Sequence, residues 1–373
     1  MIKRYKQIQD ELEKAIRSGE LGPGARLPTE ENICEKYSVS RSTAGRALNE
    51  LLKNKLVTRH PRKGTFVKMP EYNTTGLFCV LTSSLGDDTR RLAVEKFTSF
   101  LASKKRNAAI MLTGVQCVEH LKECIEAINQ TNCAGIAIFP SAMSKHHPAI
   151  LEAVASVHTP IVVYYRSLAG FNGIQIIIDE EQSAAIAVNH LIGLGHQRLA
   201  FAGVNVDSIS NILRYKGFCN ACAIAGIDYN QFPMLVFQDP FQIPNLKNYF
   251  CNSGAPTALV AVSEYHAFLA YDILTSLGLK IPEDVAIVTL DGSSISAGME
   301  VPFTTVEFPA EELGSEVAQA LYKINTGEIS PDNHFTRKLP GRLVIRNSCG
   351  SRKMRRHEYL QEYLTIPHKP SVG

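Results

Sequence analysis

Apolar positions recur at helical spacing through the first fifty residues. Tyr5, Ile8, Leu12, Ala15 and Ile16 fall three and four apart, which predicts a first helix with one apolar face, closed by Gly19. "LGPGARLP" interrupts the pattern as a turn. A second helix is predicted over "EENICEKY", with Thr29 placed to cap it and Glu30 and Glu31 in its first turn, where the helix dipole favours acids. A third starts at Ser40 and carries Ala44, Ala47, Leu48, Leu51 and Leu52 as its buried stripe. Two helices joined by a short turn read as a helix-turn-helix. Residues 56–59 and 65–68 are short β-like runs around "HPRKG", so a hairpin with a basic tip completes a winged helix.

From residue 77 the period changes. Short apolar runs, "LFCVLT", "AAIMLTG", "GIAIFP", "IVVYY", "IQIIID", "LAFAG", "ALVAV" and "VAIVTLD", alternate with amphipathic stretches such as "VEKFTSFLASK" and "SAAIAVNHLIGLG". Strands of continuous Val, Ile and Leu with helical crossovers predict a parallel sheet covered on both faces. The length of this part suits two doubly wound lobes better than one. The polar stretch "KMPEYNTTG" between the two patterns reads as linker. The expected fold class is therefore α/β, an N-terminal winged helix-turn-helix over 1–70, a linker at 71–76, and a two-lobed parallel-sheet domain over 77–348. A basic tail, 349–373, follows and reads as a solvated terminus.

Composition supports an ordinary globular chain: 373 residues, 45% hydrophobic and 20% charged. No apolar run approaches the ~20 residues of a membrane span, and no signal segment opens the chain, so a cytoplasmic location without membrane contact is expected. Nine cysteines, an odd number without a framework, fit reduced thiols. Cys219 and Cys222 have C-x-x-C spacing, but without a second pair or nearby histidine they read as buried thiols, and no metal or cofactor is expected. The net charge of +3 hides an asymmetry. Residues 1–70 carry 15 Lys and Arg against 8 Asp and Glu, and the rest 24 against 28. A compact basic module is the electrostatic footprint of nucleic-acid binding.

That footprint coincides with a polar helix start, "SRSTAGRAL". A helix N-terminus in the major groove offers backbone N–H groups to phosphate, while Arg41, Ser42, Thr43 and Arg46 can reach base edges or backbone oxygens. Arg62 and Lys63 on the wing tip could meet phosphates or the minor groove, with Gly64 allowing close approach.

The segment "IRSGELGPGARLPTEENICEKYSVSRSTAGRALNELLKNKLVTRHPRKGTFV" resembles the winged-helix domain of the GntR family of bacterial regulators. The G-x-L-x-P-G-x-x-L-P-[ST]-E turn, the S-R-x-T helix start and the G-T-F-V wing occur in order. The resemblance implies double-stranded operator DNA as partner and adds Thr29 to the candidate contacts. Where the family has T-V-R, this chain has "TAG", so Gly45 replaces an arginine and puts one inherited contact in doubt.

The later part resembles the LacI family's periplasmic-binding-protein-like effector domain, clearly from 174 onward and diffusely before. "IIIDEEQSAAIAVNHLIGLGHQRLAFAG", "RYKGF", "GLKIPEDVAIVTLDGS", "FTTVEFPAEELGSEVAQAL" and "GRLVIRNS" carry it. The combination is similar to the arabinose-repressor subgroup. It implies one lobe of about 77–164 and 292–325, another of about 165–291 and 326–347, and an effector cleft at the strands' carboxyl ends. Arg214 and Asp291 align with family effector contacts, and guanidinium donors with carboxylate acceptors suit a polyol. Ser263 and Glu264 stand where the family has Asn-Asp, and Arg166 either contacts the ligand or pairs at the lobe crossover. Without tryptophan, stacking on a sugar falls to Phe or Tyr, with Tyr164, Tyr165 and Tyr265 nearest the strand ends. The implied function is a ligand-responsive homodimeric regulator, a repressor of carbohydrate use released by a sugar effector; an activator, or a sensor of a non-sugar molecule, is the alternative. An enzyme is not expected, because no G-x-S-x-G, H-E-x-x-H or P-loop motif occurs. A solute-binding protein would lack the winged helix.

Overall fold

The computed structural model describes residues 4–17, 21, 25–54, 56–60, 64–67, 76–114, 118–131, 133–203, 207–231, 235–236, 249–250, 252, 254–331 and 333–351. Gly19, Arg62, Lys63, most of the linker and nearly all of the basic tail lie outside them. The chain divides into two compact units, Met1–Thr74 with Lys323–His334, and Thr75–Tyr322 with Phe335–Gly373.

In the first unit the three expected helices form: α1 Arg4–Arg17, α2 Glu30–Tyr37 and α3 Arg41–Lys53. Thr29 and Asn32 make a reciprocal capping box on α2, and the Ser40 hydroxyl accepts from the Thr43 amide to start α3. Caps of this kind each contribute about 1 kcal/mol. Ile8, Leu12, Ile33, Ala44, Leu48 and Leu51 meet in one apolar core with Val57 and Val67 of the wing. The wing is an antiparallel pair, β1 Val57–His60 and β2 Gly64–Val67, one residue displaced from the pattern's expectation.

The second unit holds two six-stranded sheets. The first consists of β3 Leu77–Thr82, β4 Ala108–Leu112, β5 Cys133–Ile138, β6 Ile161–Tyr165, β7 Ile174–Asp179 and β13 Phe335–Pro340. Its order is β4-β3-β5-β6-β7-β13, all parallel. The second consists of β8 Leu199–Gly203, β9 Leu235–Val236, β10 Ala258–Ala261, β11 Ala286–Leu290, β12 Thr304–Glu307 and β14 Arg342–Val344. Its order is β9-β8-β10-β11-β12-β14, parallel except for the β12–β14 edge. All eight strands expected from apolar runs are present. Those missed, β9, β12, β13 and β14, are short or polar, and five of the six β13 residues are exposed.

The lobe boundaries differ from those the resemblance implied. Strand β7, assigned there to the second lobe, pairs with β6 in the first, and β12, assigned to the first, pairs with β11 in the second. The chain crosses between lobes after Asp179, between Glu307 and Ala310, and at Gly341. Helix Glu180–Gly193 (α4) packs its Ala184, Ala187, Val188 and Leu191 into the second lobe's core. Helix Ala310–Asn325 returns to the first, where Glu311 pairs with Lys96 at 3.3 Å and Tyr322 meets Phe100. A run buried on both faces suits either sheet, so only hydrogen-bonded pairing decides where it goes.

Candidate functional site

Two surfaces collect the polar side chains that core packing does not explain. On the first unit, the start of α3 presents Arg41 and Ser42 to solvent. The Ser40 hydroxyl lies 2.9 Å from that of Ser42 and 3.0 Å from that of Thr43, a small hydroxyl cluster at the helix N-terminus. Arg41 Nη2 donates to Glu31 at 2.9 Å, with both side chains about three-quarters exposed. Arg46 lies with its guanidinium carbon 4.3 Å from the Tyr5 ring centre, leaning along α1. The Thr29 hydroxyl is occupied by its capping box.

The glycines have local explanations. Gly64 has φ +119°, and a Cβ there would stand 3.0 Å from Arg26 Nε, so its close approach is to its own module. Gly45 is ordinary helix, where a Cβ would meet Glu30 Oε1 at an unstrained 3.5 Å. Glu30 is itself paired with Arg59 at 2.5 Å.

The second surface is the cleft at the carboxyl ends of both sheets. Each lobe brings one non-glycine residue there in left-handed backbone, Tyr165 with φ 72° after β6 and Asp291 with φ 68° after β11. Such strain concentrates where a fold must hold a side chain in place for function. A cavity of about 190 Å³ opens in the first lobe beside Ser83, Arg90, Thr113, Phe139, Ser141 and Arg166. A second, about 230 Å³, lies across both lobes and is lined by Asp87, Thr89, Ser263, Glu264, Asp291 and Ser293.

The residues expected for the effector are brought to this region but are not equally available. Among the described residues the Asp291 carboxyl receives one long hydrogen bond, from the Thr89 hydroxyl at 3.3 Å, which links the two lobes. Burial pushes its carboxyl up to about 6 despite the opposing pull of Arg214. Arg166 also links them, its Nε donating to the Ser210 hydroxyl at 3.0 Å. Arg214 departs from expectation: Nε and Nη2 donate to Glu180 at 2.5 and 3.2 Å, and Nη1 donates to the Val262 carbonyl at 2.5 Å. Burial alone would lower its pKa, but Glu180 and Asp291 more than offset that and leave it raised. The pair forms because α4 touches helix Ile209–Ile224 so closely that a Cβ at Gly217, the glycine of "RYKGF", would be 2.2 Å from the Glu181 carbonyl oxygen. Glu264 is likewise engaged, accepting from the Ser293 and Ser296 amides at 3.2 and 2.6 Å and the Ser293 hydroxyl at 2.5 Å. The Ser263 hydroxyl lies 2.7 Å from His266 Nδ1. Tyr164 and Tyr165 are core, while Tyr265 is exposed at the cavity that spans the lobes.

Asp87, Arg90, Phe139 and Glu180 were not anticipated. Asp87 caps helix Asp88–Ser103, binds the Arg90 guanidinium, and Arg90 also donates to the Ser83 hydroxyl. The "GDDTRR" stretch carries a cap signal that could have pointed to Asp87. Glu180 is one of two adjacent acids after "IIID", and helix packing alone separates the buried Glu180 from the partly exposed Glu181.

Family comparison agrees with both units. Residues 4–67 match the description "Bacterial regulatory proteins, gntR family", and residues 188–349 match "Periplasmic binding protein-like domain". The arabinose metabolism transcriptional repressor of Geobacillus stearothermophilus is 25% identical over 341 residues, covering 87% of this chain and 91% of that protein. Its namesake from Halalkalibacterium halodurans is 24% identical over 373 residues, covering 95% and 98%. A solved periplasmic binding protein/LacI transcriptional regulator from Alkaliphilus metalliredigens QYMF, complexed with D-xylulofuranose, superposes with a TM-score of 0.61 at 18% identity, covering 73% of this chain and 98% of that one. The winged helix and the two-lobed sheets thus coincide with these matches, a gntR-type regulatory domain at residues 4–67 and a periplasmic binding protein-like domain over 188–349.

Proposed function

We propose that the protein is a ligand-responsive repressor that binds operator DNA as a homodimer and is released by a sugar or sugar-like effector, controlling a carbohydrate-utilisation operon. The observation that carries this reading is the union, in one chain, of an exposed arginine and hydroxyl helix start with a two-lobed cleft lined by charged groups. Similarity to two arabinose metabolism repressors over most of the chain supports it. Arg41 and Ser42 are the base- or phosphate-contacting residues in this reading, with Thr43 and Arg46 at the flank and Arg62, Lys63 and Gly64 on the wing. Asp291 and Arg166 face the effector. Arg214 and Glu264 hold the wall in place, as do Ser263 and its histidine partner. The protein acts by binding rather than catalysis, in the cytoplasm where the bacterial chromosome lies. Domain limits of 1–70 and 77–348 follow from the same reading.

Effector binding alters operator affinity only through its different affinity for the two arrangements of the lobes. Thr89–Asp291, Arg166–Ser210 and the Ile209 amide donating to the Ala142 carbonyl at 2.9 Å are among the polar contacts that such a change would make or break. The test is a gel shift on the native upstream region with and without added pentoses and hexoses. A retarded complex that a sugar dissolves is expected; no retardation at low salt would overturn the reading.

A further inference from the structure

The two cavities of the cleft differ in charge. The one that spans the lobes is bordered by Asp87, Glu264 and Asp291, whereas the one in the first lobe has Arg90 and Arg166 and no carboxylate among its described lining residues. Two of the nearby acids are already committed. Asp87 is bound to Arg90 and Glu180 to Arg214. Arg166 is left over: it makes no ion pair among the described residues, its Nε is held by a neutral hydroxyl, and its guanidinium carbon lies 4.7 Å from the Phe139 ring centre and 5.3 Å from that of Tyr165. Burial lowers its pKa, and Arg214 and Arg90 add to that against the opposing pull of Tyr165 and Glu180.

A buried cation without a counter-ion is costly, and a bound anion removes that cost. The guanidinium is held by the Ser210 hydroxyl at Nε and by two rings inclined at 64° to each other, and Arg166 lines the cavity, where a planar guanidinium fork suits a carboxylate or phosphate. Hydroxyls of Ser83, Thr113 and Ser141 line the same cavity and can complete the oxygen coordination. Asp291, with a single long hydrogen bond to its carboxyl among the described residues, remains as acceptor for the hydroxyls of a polyol.

We propose that the effector is an anionic monosaccharide derivative, a sugar phosphate or a sugar acid, whose acidic group docks on Arg166 beside Arg90 while its hydroxyls reach Asp291. This rests on the sugar-responsive reading above and narrows its ligand class. Charge-assisted hydrogen bonds of ~1.5–3 kcal/mol correspond to about ten- to a hundredfold in affinity.

The experiment is calorimetry on the full-length protein with arabinose, arabinose 5-phosphate and arabinonate, with operator release followed in parallel. At least one anion is expected to bind about tenfold or more tightly than arabinose, and which one it is tells phosphate from carboxylate. The preference should collapse in Arg166→Gln and survive in part in Arg166→Lys. Arabinose binding as well as both anions, no binding of either anion, or a preference untouched by Arg166→Gln would each overturn the proposal. If arabinose alone releases the operator, the repressor reading stands and only the anionic class falls; if the protein never retards operator DNA, the broader reading falls on its own.

Discussion

Two arginine–glutamate pairs show how differently the same chemistry behaves in the two units. Arg41 and Glu31 meet at 2.9 Å with side chains 76% and 72% exposed, whereas Arg214 and Glu180 meet at 2.5 Å with side chains 4% and 3% exposed. An exposed pair contributes ~0–1 kcal/mol, so Arg41 can exchange Glu31 for a phosphate or a base edge at little cost. A buried pair has given up its water, and neither partner can leave without stranding the other. The first arrangement suits a group that must be handed to a ligand, and the second suits a strut.

Breaking the strut should have the largest effect. Glu180→Ala leaves Arg214 buried with the Val262 carbonyl as its remaining hydrogen-bond partner among the described residues and with the pull of Asp291, and should lower the unfolding free energy of the sensor by about 3–5 kcal/mol in denaturant titrations. The double substitution Glu180→Leu with Arg214→Met should recover much of that loss. A single variant as stable as the parent would mean that water reaches the pair and the contrast is false.

Arg41→Ala should be the mirror image. Operator-specific affinity is expected to fall by about 1–3 kcal/mol, while stability stays within ~0.5 kcal/mol and effector binding is unchanged. A loss of stability larger than the loss of DNA binding would make Arg41 a strut as well.

Asp291 sharpens the comparison through pH. Its folded-state value, about 6, lies above the ordinary 3.8, so this carboxyl's contribution to stability is fully present below about 3.8 and is lost as pH rises through about 6. The ionised form is the one that accepts hydroxyls, so effector-triggered release should strengthen up to about tenfold between pH 5 and 7. Asp291→Asn should flatten both profiles, measured by melting and by gel shift. A pH profile unchanged by the substitution would place the titrating group elsewhere.

The smallest effect belongs to Gly45→Arg. The site accepts a Cβ without strain, and leaving glycine out of a helix interior is worth about 0.8–1.0 kcal/mol. The salt dependence of operator binding should steepen by about one released counterion if the new guanidinium reaches phosphate. Pairing with Glu30 instead would raise stability and leave the salt slope as it was.

Legibility divided along the same line. The winged helix was readable almost to the residue, because Thr29, Ser40 and the apolar stripe of α3 act within one or two turns of chain. The residues expected for the effector lie in one cleft but differ in their partners there: Arg214 and Glu264 are held by several hydrogen bonds, whereas Arg166 and Asp291 make no ion pair among the described residues. Neither Arg90 nor Glu180 announced itself. Their partners, Ser83 and Asp87 for one and Arg214 for the other, are fixed by strand ends and helix crossings that local pattern does not encode.

By itself the sequence determined the order of units, the helix caps, the eight apolar strands and the set of charged residues available to the cleft. Those follow from periodicity and short-range hydrogen bonding, which depend only on neighbours in the chain. Tertiary structure alone decided which sheet received β7 and β12, which of Glu180 and Glu181 became buried, and which arginine makes no ion pair among the described residues. The physical reason is that a strand apolar on both faces, or a charge with several possible partners, is indifferent to its destination until pairing and exclusion of water select one.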